Sequence, residues 1–162
     1  MFDLSPVLDQ LSVPGNFDIA VPEYFNFGVD VIDARAADGD KTAYIWVDRS
    51  GFVVEHHSFS DLSQASTRFA NVLHQIGARK GDCAVVIMPR VPAWYEVVIG
   101  CIKAGVVAMP GTNLLTAKDI EYRINKSNAT VAVVSMEHVS KIETIKDHCP
   151  TLQHLILIGG EQ

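Results

Sequence analysis

Apolar runs and helical stripes alternate along the second half of the chain. The runs cover Cys83 to Met88, Val106 to Met109, Thr130 to Ser135 and Leu155 to Ile158. Runs of this kind are typical of strands that are buried on both faces. Because a helical pattern separates each run from the next, the order β-α-β-α-β-α-β requires parallel pairing with right-handed crossovers. We predict an α/β fold: a mostly parallel sheet with helices on both faces.

The first half carries different patterns. Residues 1–20 show no clean periodicity, and we predict an N-terminal leader there. Pro22 suits a helix start, and Phe25, Val29 and Ile32 follow at helical spacing, continuing to Ala36. Asp38-Gly39-Asp40 is expected to end this helix.

A β-hairpin is predicted next. Thr42 to Val47 and Phe52 to His57 are rich in β-branched and aromatic residues, and the turn Asp48-Arg49-Ser50-Gly51 separates them. His56 and His57 are adjacent on a strand and point to opposite faces, so they cannot ligate one metal together.

Helix starts and ends are marked along the chain. Ser58 to Asp61 and Thr116 to Asp119 have capping-box spacing. The helix after Ser58 has an apolar stripe: Leu62, Ala65, Phe69, Val72, Leu73 and Ile76. Gly77 is expected to close it. A final helix is predicted through Val139, Ile142 and Ile145, ending before Pro150.

Composition narrows the function. The chain has 162 residues, of which 48% are apolar and 20% charged, and its net charge is -6. The apolar fraction excludes a disordered chain, and the negative charge argues against a nucleic-acid partner. The stretch from Val97 to Pro110 is too short and too interrupted to span a membrane.

The cysteines and the amino terminus indicate the compartment. Cys83, Cys101 and Cys149 are an odd number and widely spaced, which is typical of reduced thiols. No basic region precedes the first apolar residues, as a signal peptide would require. We predict a cytoplasmic protein.

Ligands of open parallel sheets bind beyond the carboxyl ends of the strands. That rule selects four loops: Pro89 to Pro92, Pro110 to Asn113, Ser135 to Glu137, and Gly159-Gly160. In the second loop, Gly111 allows close backbone approach, and Thr112 and Asn113 offer polar contacts; the alternative is a plain turn toward a capped helix. Arg90 carries the only guanidinium group in these four loops. We expect it either to bind an anion or to form a salt bridge.

Familiar catalytic motifs are absent from the sequence. It contains no Walker-type phosphate loop, no dinucleotide fingerprint and no nucleophile elbow. It also contains no H-E-x-x-H and no paired C-x-x-C, so no metal site is predicted. The acids Asp30, Asp33, Asp38 and Asp40 are interpreted as a solvated face.

Several segments, in order, resemble one family. They are Val21-Pro22-Glu23-Tyr24-Phe25-Asn26-Phe27, Met88-Pro89-Arg90-Val91-Pro92-Ala93-Trp94, Gly100-Cys101-Ile102-Lys103-Ala104-Gly105, Met109-Pro110-Gly111-Thr112 and Asp119-Ile120-Glu121-Tyr122-Arg123. The sequence is similar to adenylate-forming (AMP-binding, acyl-activating) enzymes, in particular to medium-chain-type acyl-CoA synthetases. The resemblance runs from about residue 20 to the end of the chain.

The resemblance implies a role for the whole family. Such enzymes join a carboxylic acid to coenzyme A through an acyl-adenylate, using ATP and Mg²⁺ and releasing AMP and pyrophosphate. Residues 21–162 would be an incomplete, N-terminal part of their large AMP-binding domain. The family's phosphate loop, ribose-binding acid and catalytic lysine match nothing here, so no catalytic residue is carried over and no cofactor is expected for this chain alone.

In the family, the loop after Met109-Pro110-Gly111 lies near the thioester side of the site. The resemblance therefore makes Thr112, Asn113 and Leu114, with Arg90, the candidates for a position near coenzyme A or the acyl group. A sheet begun but not completed would expose apolar surface, which predicts self-association.

One further interpretation remains open from the sequence, and another class of protein is disfavoured. The chain could be a freestanding, non-catalytic binding or interaction module derived from that family. A phospho-receiver of similar size would need an acid after the first buried strand, and Met88-Pro89-Arg90 supplies none.

Overall fold

The computed structural model describes residues 22–39 and 41–159. The predicted leader, residues 1–20, lies outside the described residues, and so do Val21, Asp40 and Gly160. Among the helices within the described ranges, none is long and apolar enough to cross a membrane.

The described chain forms a hairpin followed by alternating strands and helices. The strands are β1 (Thr42–Val47), β2 (Val54–Ser58), β3 (Cys83–Ile87), β4 (Val107–Gly111), β5 (Val131–Ser135) and β6 (His154–Ile158). The α-helices are α1 (Ala34–Ala37), α2 (Phe59–Gln75), α3 (Pro92–Ala104), α4 (Ala117–Ser127) and α5 (Val139–Glu143). A π-helix, Phe27–Asp33, leads into α1, and 3₁₀ turns lie at Met136–His138 and Lys146–His148.

The main sheet has four parallel strands in the order β4-β3-β5-β6. Val85 in β3 lies between Met109 of β4 and Ala132 of β5, and Ala132 pairs with Leu155 of β6. β1 and β2 form a separate antiparallel hairpin. The predicted α/β class, parallel sheet and N-terminal hairpin are confirmed.

Helices cover both faces of this sheet, as predicted. On one face, Leu73 of α2 and Val97 of α3 pack against Val86. On the other, Ile120 of α4 packs against Ile87. Burial of each such side chain stabilises the fold by roughly 1.5–3 kcal/mol.

Both predicted capping boxes are present. The Ser58 and Thr116 hydroxyls accept hydrogen bonds from the amides of Asp61 and Asp119, and those carboxylates bond back to the cap amides. Gly77, just after α2, has a positive φ of 83°, which glycine adopts without strain.

The N-terminal helix differs from its prediction. It begins as a π-helix after Asn26, whose side chain accepts hydrogen bonds from the amides of Gly28 and Val29. A π-helix has a wider turn than an α-helix, so the 3.6-residue stripe is not kept. Ile32 is buried as expected, but Phe25 and Val29 are exposed.

The hairpin turn is longer than predicted. The second strand starts at Val54 rather than Phe52, and Phe52 is 91% exposed. The Asp48 carboxylate accepts hydrogen bonds from Ser50 Oγ and from the Val53 amide, which holds residues 48–53 as a loop.

The last predicted helix is broken. Only the five residues of α5 are α-helical, with a 3₁₀ turn on each side. Val139, Ile142 and Ile145 still face the core, so the apolar spacing was interpreted correctly while the continuity of the helix was not.

The outer strands are less buried than their sequence predicts. The strand order places β4 and β6 at the two edges of the four-stranded sheet, so each pairs on one side only among the residues that the structure describes. Val107, Leu155 and Leu157 are therefore between 40% and 50% exposed. Proline has no backbone N–H group to donate. Pro110 is tolerated within β4 because an edge strand pairs with a neighbour on one side only and does not need every N–H group for the sheet.

Candidate functional site

A cleft lies beyond the carboxyl ends of β3 and β4. The two strands are parallel and paired, with Ile87 opposite Gly111, so the loops that follow them emerge side by side. The cleft has a volume of about 490 Å³ and is lined by residues 88–90, Trp94 and residues 110–113. Two of the four loops selected from the sequence therefore form one concave surface.

Three of the four candidate residues line this cleft. Arg90 enters from the β3 side, and Thr112 and Asn113 from the β4 side. Leu114 does not line it: its side chain is 86% exposed, and its amide donates to Thr112 Oγ1 over 3.3 Å. The geometry thus brings Arg90, Thr112 and Asn113 together and leaves Leu114 outside.

Gly111 has a packing reason to be glycine. A Cβ at this position would lie 2.5 Å from Leu115 Cδ1 and 2.6 Å from Ile87 Cδ1. The space beside Gly111 is therefore filled by the core, whereas the sequence analysis had attributed this glycine to the approach of a ligand.

Arg90 is held at both its main chain and its side chain. Its carbonyl oxygen accepts a hydrogen bond of 3.1 Å from Trp46 Nε1 in β1. Its guanidinium Cζ lies 5.3 Å from the centroid of the Trp94 ring, within the range of a cation–π contact. Among the described residues, no carboxylate lies within ion-pair distance of this guanidinium.

Asn113 is held by a lysine from a distant element. Lys141 Nζ in α5 donates to the carbonyl oxygens of Asn113 and Leu115, over 3.0 and 2.8 Å. Asn113 Oδ1 is itself buried and accepts no hydrogen bond in the described structure. An unpaired buried amide oxygen is costly, so this atom is poised to accept a donor.

Trp46 and Lys141 are not recognisable from the sequence as partners of the cleft. They lie 44 and 28 residues from the loop residues that they contact, and neither belongs to a motif. The only signal in the sequence was the type of side chain, because an indole N–H and an ammonium group both donate hydrogen bonds and therefore need acceptors.

The other two loops selected from the sequence lie elsewhere. Ser135 Oγ donates to Glu137 Oε1 over 3.4 Å, and the neighbouring His138 is buried. Gly159 follows β6, and Gly160 lies outside the described residues. Neither loop lines the cleft.

A larger cavity of about 640 Å³ lies between β4 and α4. Its helical side includes Lys118, Tyr122 and Lys126, which are spaced four residues apart and lie on the solvent-facing side of α4. We place the candidate site in the smaller cleft because that cleft lies at the strand ends, where parallel sheets bind ligands.

The cleft does not suit a divalent cation. Mg²⁺ prefers carboxylate ligands, and the lining includes no acid. Within residues 22–39 and 41–159, no group of three or more His, Cys, Asp or Glu side chains could hold a metal. No step through Mg²⁺ is therefore derived from these residues.

Comparison with known proteins identifies the family. The AMP-binding enzyme family matches residues 32–160. The chain is 36% identical over 171 residues to acyl-coenzyme A synthetase ACSM1, mitochondrial, of Mus musculus, and 39% identical over 148 residues to ACSM4, mitochondrial, of Homo sapiens. The chain belongs to the AMP-binding enzyme family, and its similarity to the medium-chain-type branch agrees with the resemblance seen in the sequence.

Solved structures agree with the fold. The anthranilate CoA ligase AuaEII, solved with anthranoyl-AMP, superposes with a TM-score of 0.73 at 28% identity, over 86% of this chain and 26% of that one. A long-chain-fatty-acid-CoA ligase of Archaeoglobus fulgidus reaches 0.75 at 22% identity, over 89% and 30%, and supports the fold alone.

The chain covers only a fraction of these relatives. It aligns over 98% of its own length with the mouse ACSM1 protein but over 30% of that protein, and over 87% with the human ACSM4 protein but over 25% of it. The matched region is the N-terminal part of acyl-CoA synthetases, and it forms an incomplete scaffold relative to them.

Proposed function

We propose that this chain supplies the opening part of the large domain of an acid–thiol ligase that makes acyl-CoA. The observation that carries the proposal is the cleft in which Arg90, Thr112 and Asn113 meet at the carboxyl ends of β3 and β4. Family membership and similarity to acyl-CoA synthetases support it.

In the complete enzyme, the substrates would be a carboxylic acid, ATP and coenzyme A, with Mg²⁺ on the phosphates. The cleft would lie on the side of coenzyme A and the acyl group. Its residues bind and orient; none of them is a nucleophile or a base. We expect the chain by itself to hold neither ATP nor Mg²⁺ as a resident cofactor, since its described residues offer neither a glycine-rich phosphate loop nor acidic metal ligands.

The test is acid-dependent exchange of labelled pyrophosphate into ATP, measured on the 162-residue chain and on the translation product of the same reading frame extended beyond Gln162. The chain alone should give no exchange above a blank without protein. The extended product should exchange in the presence of a medium-chain acid. Exchange by the chain alone would contradict our assignment of the missing parts.

An inactive extended product that is folded and monodisperse would instead favour a freestanding binding module. Co-purification of that product with an active acyl-CoA synthetase would identify the partner class. This outcome would be consistent with membership of the AMP-binding enzyme family but would contradict the proposed ligase activity.

We also propose a cytoplasmic location, supported by free Cys83, Cys101 and Cys149. The names of the mouse and human relatives place those proteins in mitochondria. Fractionation of cells that express the full reading frame, with a mitochondrial marker enzyme as control, decides between the two compartments.

A further inference from the structure

Both tryptophans of the chain contact Arg90. The sequence contains two, Trp46 and Trp94. Trp46, in the hairpin, donates its indole N–H to the Arg90 carbonyl, and Trp94, in the first turn of α3, lies beneath the guanidinium. The main chain and the charged group of one arginine are thus fixed from two separate elements.

A column of rings joins these two elements. Trp94 meets Tyr95 edge to face at 5.1 Å, Tyr95 stacks on Tyr44 at 4.7 Å, and Tyr44 stacks on His57 at 4.7 Å. Burial, together with nearby acids, raises the pKa of Tyr44 to about 12. Packed rings of this kind hold the hairpin against α3.

The contacts of Arg90 leave its hydrogen-bonding edge available. The contact with Trp94 is made over the face of the indole ring, and among the described residues the guanidinium N–H groups have no acceptor within hydrogen-bond distance. The cleft contains no acidic side chain, in a protein whose net charge is -6. A planar guanidinium matches phosphate and carboxylate oxygens, to which it can donate two parallel hydrogen bonds.

We propose that Arg90 binds the phosphate or carboxylate group of a ligand in this cleft, and that Trp46 is the positioning residue that orients Arg90 for this contact. This proposal rests on the proposed function, because it treats the cleft as part of the site that binds coenzyme A and the acyl group. It adds the contacting group, the chemistry of the ligand and a role for the hairpin.

The tryptophans provide the readout. Because both touch Arg90, a ligand at the guanidinium should change the intrinsic fluorescence of the chain. Coenzyme A, AMP and octanoate are titrated separately at constant ionic strength. At least one should give a saturable change in emission; coenzyme A or AMP alone points to a phosphate, and octanoate alone points to a carboxylate.

Variants assign the signal to the two residues. R90Q should weaken binding by about tenfold or more, because it removes a charge-assisted bidentate contact. R90K keeps the charge without the planar fork and should fall between R90Q and the unmodified chain. R49Q removes an exposed arginine from the hairpin turn and should bind like the unmodified chain.

Trp46→Phe keeps a ring but removes the N–H donor, and Trp94 remains to report. Affinity should fall by about threefold to tenfold, as expected for loss of one hydrogen bond. Ile45→Ala perturbs the neighbouring, exposed position of β1 and should leave affinity unchanged. Circular dichroism and thermal melts establish that each variant is folded, so a loss of affinity without a loss of fold identifies positioning.

Three results would overturn the proposal: no saturable response to any probe, a response that R90Q leaves unchanged, or a folded W46F chain with unmodified affinity. Either of the first two results would contradict the assignment of Arg90 as an anion-binding residue. The third would contradict the positioning role of Trp46. The proposed function fails by a different measurement, pyrophosphate exchange by the extended product, so the two failures are distinguishable.

Discussion

Cys101 illustrates how its position decides the chemistry of a residue. It lies in α3, on the side that packs against the sheet, and it is fully buried. Burial raises the pKa of its thiol to about 12, since the interior disfavours the thiolate. At neutral pH this cysteine is an apolar core residue rather than a nucleophile.

We therefore expect Cys101 to resist thiol reagents in the folded chain. Titration with a chromogenic disulfide reagent at pH 8, followed by peptide mapping, should show modification of the partly exposed Cys83 first. Cys101 should react only after denaturant is added. Cys101→Ser is the control that assigns the slow phase, and rapid native labelling of Cys101 would contradict the burial.

The two capping carboxylates predict an acid dependence. Hydrogen bonds from Ser58 and Thr116 hold the pKa values of Asp61 and Asp119 below their usual range. A lowered folded pKa contributes stability that is complete above the unfolded value and is lost as the pH falls through the folded value.

Stability should therefore decline as the pH falls below about 4, the ordinary pKa of aspartate. Urea denaturation at a series of pH values measures this decline. The double variant D61N/D119N should be less stable at pH 7 and should show a shallower acid limb, whereas D147N, outside both boxes, should keep the original slope. An acid limb of the same slope in the double variant would exclude the caps as its cause.

At the scale of elements, α2 and α3 are in close contact at Gly100. A Cβ there would lie 2.7 Å from the Ser66 carbonyl oxygen and 2.9 Å from Phe69 Cβ. Ser66 is fully buried, and its side chain donates to the Leu62 carbonyl oxygen within α2. The closeness of the two helices thus depends on the missing side chain.

Gly100→Ala should destabilise the chain by about 1–3 kcal/mol, as overpacking of a core does. An exposed helical glycine would respond in the opposite way, because alanine is the better helix former by about 1 kcal/mol. The sign of the change in unfolding free energy, from urea titration, is decisive. A G100A chain that is more stable than the unmodified chain would contradict this prediction, because it would show that α2 and α3 can move apart without a loss of unfolding free energy.

The same scale explains which element predictions succeeded. Capping boxes and apolar spacing depend on neighbours within four residues, so the starts of α2 and α4 and the end of α2 were predicted nearly correctly. The π-helix, the long hairpin turn and the broken α5 were not. The π-helix is held by contacts with residues that are distant in the sequence. Asn26 Nδ2 donates to the Ile102 carbonyl oxygen, and Lys103 forms an ion pair with Asp33.

At the scale of the whole molecule, β6 and the hairpin are two of the places where apolar side chains stay exposed. β6 presents Leu155 and Leu157, and the outer side of the hairpin presents Ile45 and Phe52. Exposed apolar side chains on an edge strand favour pairing with another chain.

We predict concentration-dependent self-association of the chain through β6. Sedimentation velocity should show it, and L155K/L157K should shift the distribution toward monomer at the same concentration. Phe52→Ser provides a comparison at the other exposed place and should change the distribution less. A monomeric unmodified chain across the accessible concentrations would refute this prediction.

The candidate site was predictable in part for a related reason. Arg90 and Pro110 to Asn113 follow apolar runs of the sequence, and the rule for parallel sheets selects the ends of such runs without any coordinates. Leu114, taken from the same loop, points outward, because one further residue turns the chain toward α4. The partners of the site, Trp46 and Lys141, come from elements that sequence spacing does not connect to it.

The sequence by itself determined the α/β class, the alternation of elements, both capping boxes and the loops that form the cleft, since these depend on local spacing and on general rules of chain connection. Only the tertiary structure decided that β4 and β6 are edge strands, that the first helix starts as a π-helix, and that Arg90 lies between two tryptophans. These features depend on contacts between residues far apart in the chain, and the pattern of apolar and polar positions does not encode which distant residues meet.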